Sequence, residues 1–123
     1  MIDQHDSRDK KNYSKVYKKR KVKTMRLDDY VRDLNIIPQL IKIDAESAEY
    51  QVLNGMHYIL SEMKPMLCIE LGDFEIDGVI ESRKIIDFLI LNYSYKVFEM
   101  KDGKLFPHSL RDNYKYTNLF FKS

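Results

Sequence analysis

Gln39-Leu40-Ile41-Lys42-Ile43-Asp44-Ala45-Glu46-Ser47-Ala48-Glu49 is the stretch on which the fold turns. Residues 39–45 make a short apolar run, β-branched at Ile41 and Ile43, with the length and content of a buried strand. Beyond it Ala48, Val52, Met56, Ile59, Leu60 and Met63 recur at three- and four-residue steps. That spacing predicts a helix from about Ser47 to Met63, with Ser47 as its N-cap.

Working toward the C-terminus, Pro65 breaks the pattern, and Met66-Leu67-Cys68-Ile69-Glu70-Leu71 is a second apolar run closed by Gly72-Asp73. Ser82 begins a helical pattern through Ile85, Ile86, Phe88 and Leu89 to about Asn92. Tyr95–Met100 and Tyr116–Phe121 have strand composition, and Lys101-Asp102-Gly103-Lys104 between them is a hairpin signal. Strand, helix, strand, helix, strand predicts an α/β protein with a mainly parallel sheet, because parallel neighbours need helical crossovers. Apolar runs of this kind are expected to be buried on both faces.

Toward the N-terminus, Leu27, Tyr30, Val31 and Leu34 repeat at helical spacing and predict about two turns of helix ending near Asn35, before Pro38. Lys10–Arg26 carries nine basic residues and no acid. Within it residues 16–25 alternate as a strand would, with little apolar surface, which suits a sheet edge. Residues 1–15 show no periodicity and read as a mobile polar and basic arm; residues 16–123 read as the folded domain.

A length of 123 residues allows one domain at most. The 44% hydrophobic and 33% charged fractions exclude a wholly disordered chain. No apolar run approaches the roughly 18 residues of a membrane span, and Met1–His5 has no apolar stretch of a secretory signal, so the reading expects a cytoplasmic chain. One cysteine, Cys68, excludes an internal disulfide, and with three histidines it argues against a zinc site. The net charge of +2 hides an asymmetry: residues 1–26 hold ten Lys/Arg against three Asp, residues 27–123 eleven against sixteen acids. A basic run with Tyr13 and Tyr17 could hold nucleic acid or an anionic membrane surface through phosphate contacts, though such runs are most often solvated surface.

In open α/β sheets ligands bind beyond the carboxyl ends of the strands. The residues following the two apolar runs are Asp44, Glu46 and Glu49 after the first, and Glu70 with Asp73 at the end of the second. They form the best candidate site. The plainer reading is that acids in a first helical turn complement its dipole, worth about 0.3–1 kcal/mol each. His57 stands with no His or Cys at ligand spacing and reads as a surface or packed residue; Cys68 reads as a small buried hydrophobe.

Leu27-Asp28-Asp29, then Lys42-Ile43-Asp44-Ala45-Glu46-Ser47-Ala48-Glu49, Val52-Leu53-Asn54-Gly55, Pro65, Ile69-Glu70 and Asn118-Leu119-Phe120 resemble, in order and spacing, the C-terminal part of FkbM-type methyltransferases over residues 22–121. The resemblance implies a Rossmann-like class I methyltransferase sheet, mainly parallel, with an antiparallel last strand. It implies S-adenosylmethionine as methyl donor and a hydroxyl of a small metabolite or sugar as acceptor. By position it places Asp44 and Glu46 as catalytic candidates and Glu49 and Glu70 as substrate-contacting ones. Ser47 stands where the family usually has Gly.

The family grips its donor with a Gly-rich turn after strand one. This chain has four glycines, at 55, 72, 78 and 103, and no such turn. The resemblance therefore implies that strands one and two are lacking, which argues against donor binding by this chain alone. It also implies a bare edge at residues 40–44, to be covered by residues 16–25, by a second copy, or by an N-terminal half on another chain. A truncated or split methyltransferase domain is the leading expectation. The alternative is a non-catalytic remnant or regulatory subunit that keeps the sheet.

Overall fold

The computed structural model describes residues 18–123. Helix α1, Leu27–Leu34, leads to strand β1, Leu40–Ile43, and helix α2, Glu49–Asn54. A π-helical turn at Ile59–Met63 precedes β2, Met66–Leu71, and α3, Ser82–Tyr93, precedes β3, Lys96–Lys101. Strands β4, Lys104–Pro107, and β5, Thr117–Lys122, complete a five-stranded sheet of order β1-β2-β5-β3-β4.

Only β1 and β2 pair in parallel; β2–β5, β5–β3 and β3–β4 are antiparallel. The expected mainly parallel sheet is corrected accordingly. Its physical origin is insertion: β1, β2 and β3 run the same way, joined by helical connections, but β5 returns antiparallel into the gap between β2 and β3. The antiparallel last strand implied by the resemblance is present. The hairpin signal also holds, since Asp102 and Gly103 take φ values of 51° and 73°, as a primed two-residue turn requires.

Burial on both faces does not hold either. Ile43, Leu67, Ile69, Leu71, Leu119 and Phe121 share one face by register and pack in one core with Val31, Leu53, Met56, Ile59, Leu60, Ile85, Ile86 and Leu89 from the helices. On the opposite face Leu40 and Lys42 are exposed, while Met66, Cys68, Glu70 and Phe120 are half-buried. β2 therefore alternates, although its sequence is apolar almost throughout, because the described helices lie on one side only.

The helix expected over residues 47–63 is broken at Gly55 and Met56. Their amides turn back to the carbonyls of Val52 and Leu53 at 3.0 Å each. The chain then restarts because Asp28, itself buried, accepts the amides of Tyr58 and Ile59 at 2.9 and 3.1 Å. Asp28 also donates its own amide to the Gly55 carbonyl at 2.9 Å, which locks α1 to the break. A carboxylate on two helix-starting amides satisfies donors that have no intrahelical partner.

Residues 18–26 form no strand, and Val22 and Met25 are 79% and 62% exposed. No strand among the described residues completes a ladder with them, and their few apolar side chains stay exposed. The suggested pairing of this segment against residues 40–44 is thus corrected for the described residues, where β1 pairs with β2 alone. The arm at residues 1–15 lies outside the described residues. No helix among the described residues is long and apolar enough to cross a membrane.

Candidate functional site

Asp44 leaves the end of β1 and Glu70 sits near the end of β2. Parallel pairing of Ile43 with Ile69 sets these carboxyl ends side by side. Glu46 comes from the turn that follows. One carboxylate oxygen from each of Asp44, Glu46 and Glu70 lies within 4.8 Å of the other two. The proximity of Asp44, within hydrogen-bonding reach, pushes the Glu70 carboxyl above its ordinary pKa; partial burial and the Asp44 and Glu46 charges add to this, and Lys42 opposes it. Such a group holds a proton more tightly than an isolated glutamate.

Glu49 does something else. It is 7% exposed, and its Oε1 accepts the amides of Ala45 and Ser47 at 3.0 and 3.3 Å. Its carboxylate shapes the turn that carries Glu46. The N-cap of α2 is Ala48 and not Ser47. Glu46 and Ser47 both have positive φ, 46° and 78°, so the left-handed backbone that a glycine would favour at 47 is adopted by serine.

A cleft of about 500 Å³ opens beside this rim, with Ser47, Gly72 and Phe74 common to both. Its far wall is the 72–81 segment with Asp112 and Asn113. Phe74 and Tyr116, 44% and 64% exposed, meet beside the acidic rim with ring centroids 4.7 Å apart. Asp73 anchors the floor: its carboxylate accepts Ser82 N at the start of α3 and Tyr114 N, each at 2.8 Å. Its own amide donates to the Tyr114 carbonyl at 2.8 Å.

Two groups escaped sequence reasoning. His108 and Tyr114 are buried and bonded to each other and, through His108, to Glu99; nothing in their spacing announces this pairing. Asp28 was quotable as part of a motif, but its capping role needed the break at Gly55. His57 is exposed and contacts the Tyr93 hydroxyl, away from the acids. Cys68 is half-buried on the helix-free face, and burial raises its thiol pKa.

Among the described residues no Gly-rich turn is present to grip S-adenosylmethionine. Gly72, the glycine nearest the rim, has its Cβ position filled by the Phe74 ring at 2.7 Å, and Gly55 lies against the Arg26 backbone at 3.4 Å. Gly78, which lines the cleft, and Gly103 are open, but each is a lone glycine in a turn and not the Gly-rich loop of a donor cradle.

Parallel strands ending in an acidic rim, with an antiparallel last strand set inside the sheet, define an α/β protein of methyltransferase-like architecture. Residues 2–97 match the family model described as the methyltransferase FkbM domain, and the chain belongs to that family. Members of a methyltransferase family use S-adenosylmethionine in general. No curated protein and no solved structure matches the chain.

Proposed function

We propose that this chain forms the acceptor side of an FkbM methyltransferase, whose assembled form moves a methyl group from S-adenosylmethionine to a hydroxyl of a small metabolite or sugar. The observation that carries the reading is β1: its outer edge has no partner among the described residues, while its carboxyl end delivers Asp44 into a cluster with Glu46 and Glu70. Another polypeptide segment is then needed to pair with that edge and bring the donor-binding turn. In this reading residues 16–123 are the domain part, Asp44 is the first candidate for taking the acceptor's proton, and Glu46 and Glu70 contact the acceptor. Glu49 contributes by holding the turn. Positioning accounts for most of such catalysis, about 7–11 kcal/mol, and a proton acceptor adds roughly 10²- to 10⁴-fold.

The filled space at Gly72 favours a second reading, in which the chain is a non-catalytic subunit that keeps the sheet and no longer takes part in transfer. Co-production with the polypeptide encoded immediately upstream, followed by assay of labelled methyl transfer, separates the two. Transfer that needs both polypeptides and falls by about 10²- to 10⁴-fold in Asp44→Asn supports the first reading. No transfer from the pair supports the second.

A further inference from the structure

We infer that His108 is a positioning residue, with Nδ1 donating to Glu99 and Nε2 accepting from Tyr114, that fixes the wall of the candidate acceptor cleft through Tyr114. Its side chain is fully buried, and both ring nitrogens are bonded. Nδ1 lies 2.9 Å from Glu99 Oε2, and Nε2 lies 2.9 Å from the Tyr114 hydroxyl.

The proton positions follow from donor and acceptor inventory. Hydrogen bonds from His108 and Lys101 hold the Glu99 carboxyl below its ordinary pKa, so Glu99 is an anion that can only accept. Nδ1 must then carry the hydrogen. The Tyr114 oxygen already accepts the Arg111 amide at 2.9 Å, leaving its own proton for an acceptor, which bare Nε2 provides. With its proton on Nε2 instead, the neutral ring would set a lone pair against an anion.

The consequence reaches the cleft because the Tyr114 carbonyl accepts the Asp73 amide and the Tyr114 amide donates to the Asp73 carboxylate, which also accepts Ser82 N at the start of α3. A line of bonds thus runs from β3 through Glu99, His108, Tyr114 and Asp73 to the start of α3, and it fixes the segment bearing Asp112, Asn113 and Tyr116. The other charged groups around it are Lys101, 3.1 Å from Glu99 Oε1, and Arg111, 3.9 Å from Glu99 Oε2 and over the Tyr114 ring. The assignment of this cleft to the acceptor rests on the proposed function, whereas the positioning role is tested without donor or acceptor. The two can therefore fail separately.

The test uses the full chain labelled with ¹⁵N. Long-range ¹H–¹⁵N correlation should show His108 with a protonated Nδ1 and an unprotonated Nε2. Two substitutions divide the bonds: His108→Asn keeps a donor near Nδ1 for Glu99, and His108→Gln keeps a polar group near Nε2 for Tyr114. Amide exchange at Asp73 and Tyr114, taken relative to the sheet amides of Ile69 and Leu119, should stay within about threefold of the parent in His108→Gln. It should accelerate at least about tenfold in His108→Asn and in Tyr114→Phe, as the loss of one buried hydrogen bond implies. A proton on Nε2 in the parent, equal relative exchange in the Asn and Gln variants, or acceleration spread evenly over all four amides would overturn the inference.

Discussion

Replacing Asp28 by alanine removes the acceptor that restarts the chain after Gly55. Asp28 is 2% exposed and accepts Tyr58 N at 2.9 Å and Ile59 N at 3.1 Å. Hydrogen bonds to a charged group contribute about 1.5–3 kcal/mol each, and an orphaned buried donor costs about 1–3 kcal/mol. The Arg26 guanidinium lies 3.7 Å away but is 59% exposed, so its contribution is small. Allowing for the cost of keeping a carboxylate buried, Asp28→Ala should destabilise by about 3–4 kcal/mol, a large share of the roughly 5–15 kcal/mol that holds a domain together. At about 4 °C per kcal/mol for a chain of this length this corresponds to a fall in Tm of roughly 12–16 °C. Asp28→Asn keeps one acceptor of nearly the same shape and should cost about half as much, which gives a measurable variant if the alanine form does not fold. Urea unfolding followed by circular dichroism reads both. A loss under about 1 kcal/mol in Asp28→Ala would refute the capping argument.

Ser47→Gly should stabilise the chain by about 0.5–1 kcal/mol, because φ of 78° strains a residue with a Cβ; an unchanged urea midpoint would contradict this. Gly72→Ala would set a methyl group 2.7 Å from the Phe74 ring, whose exposed end can swing aside, so it should displace Phe74 from Tyr116 at a cost of about 1 kcal/mol or less, read as a loss of the Phe74–Tyr116 cross-peak in NMR. The pH dependence has two opposite components. Glu70 is raised, so its contribution is fully present below its unfolded pKa and is lost as pH rises through its folded one; Glu70→Gln should be more stable than the parent at neutral pH, with the gap closing on acidification. Glu99 is lowered, chiefly by His108, so its contribution is present above its unfolded pKa and is lost as pH falls through its folded one. Glu99→Gln should therefore show a shallower acid loss than the parent in urea midpoints measured against pH.

The elements were legible where local pattern and tertiary environment agree. The runs at 40–43 and 66–71 are strands, the step pattern from Ser82 is α3, and Asp102-Gly103 turns the hairpin. The place of β5 between β2 and β3 was not legible in local pattern, because it depends on contacts distant in sequence; its antiparallel direction was implied only by the family resemblance. The apolar stripe from 47 to 63 read as one helix because periodicity alone does not reveal that Asp28 captures amides at 58 and 59. At the site, order along the chain was enough to bring Asp44, Glu46 and Glu70 together, since residues just past neighbouring parallel strands share one end of the sheet. It could not separate Glu49, whose carboxylate turns back onto its own loop. The basic alternation at 16–25 fails as a strand over its described residues, 18–25, for a related reason: alternation supplies a pattern, and a ladder needs a partner.

Titration of the purified chain with S-adenosylmethionine in a calorimeter tests the division of labour most directly. The account predicts no heat of binding at micromolar to millimolar donor, because the acidic rim is present and the described residues hold no Gly-rich turn beside it. A saturable heat with micromolar affinity would contradict it.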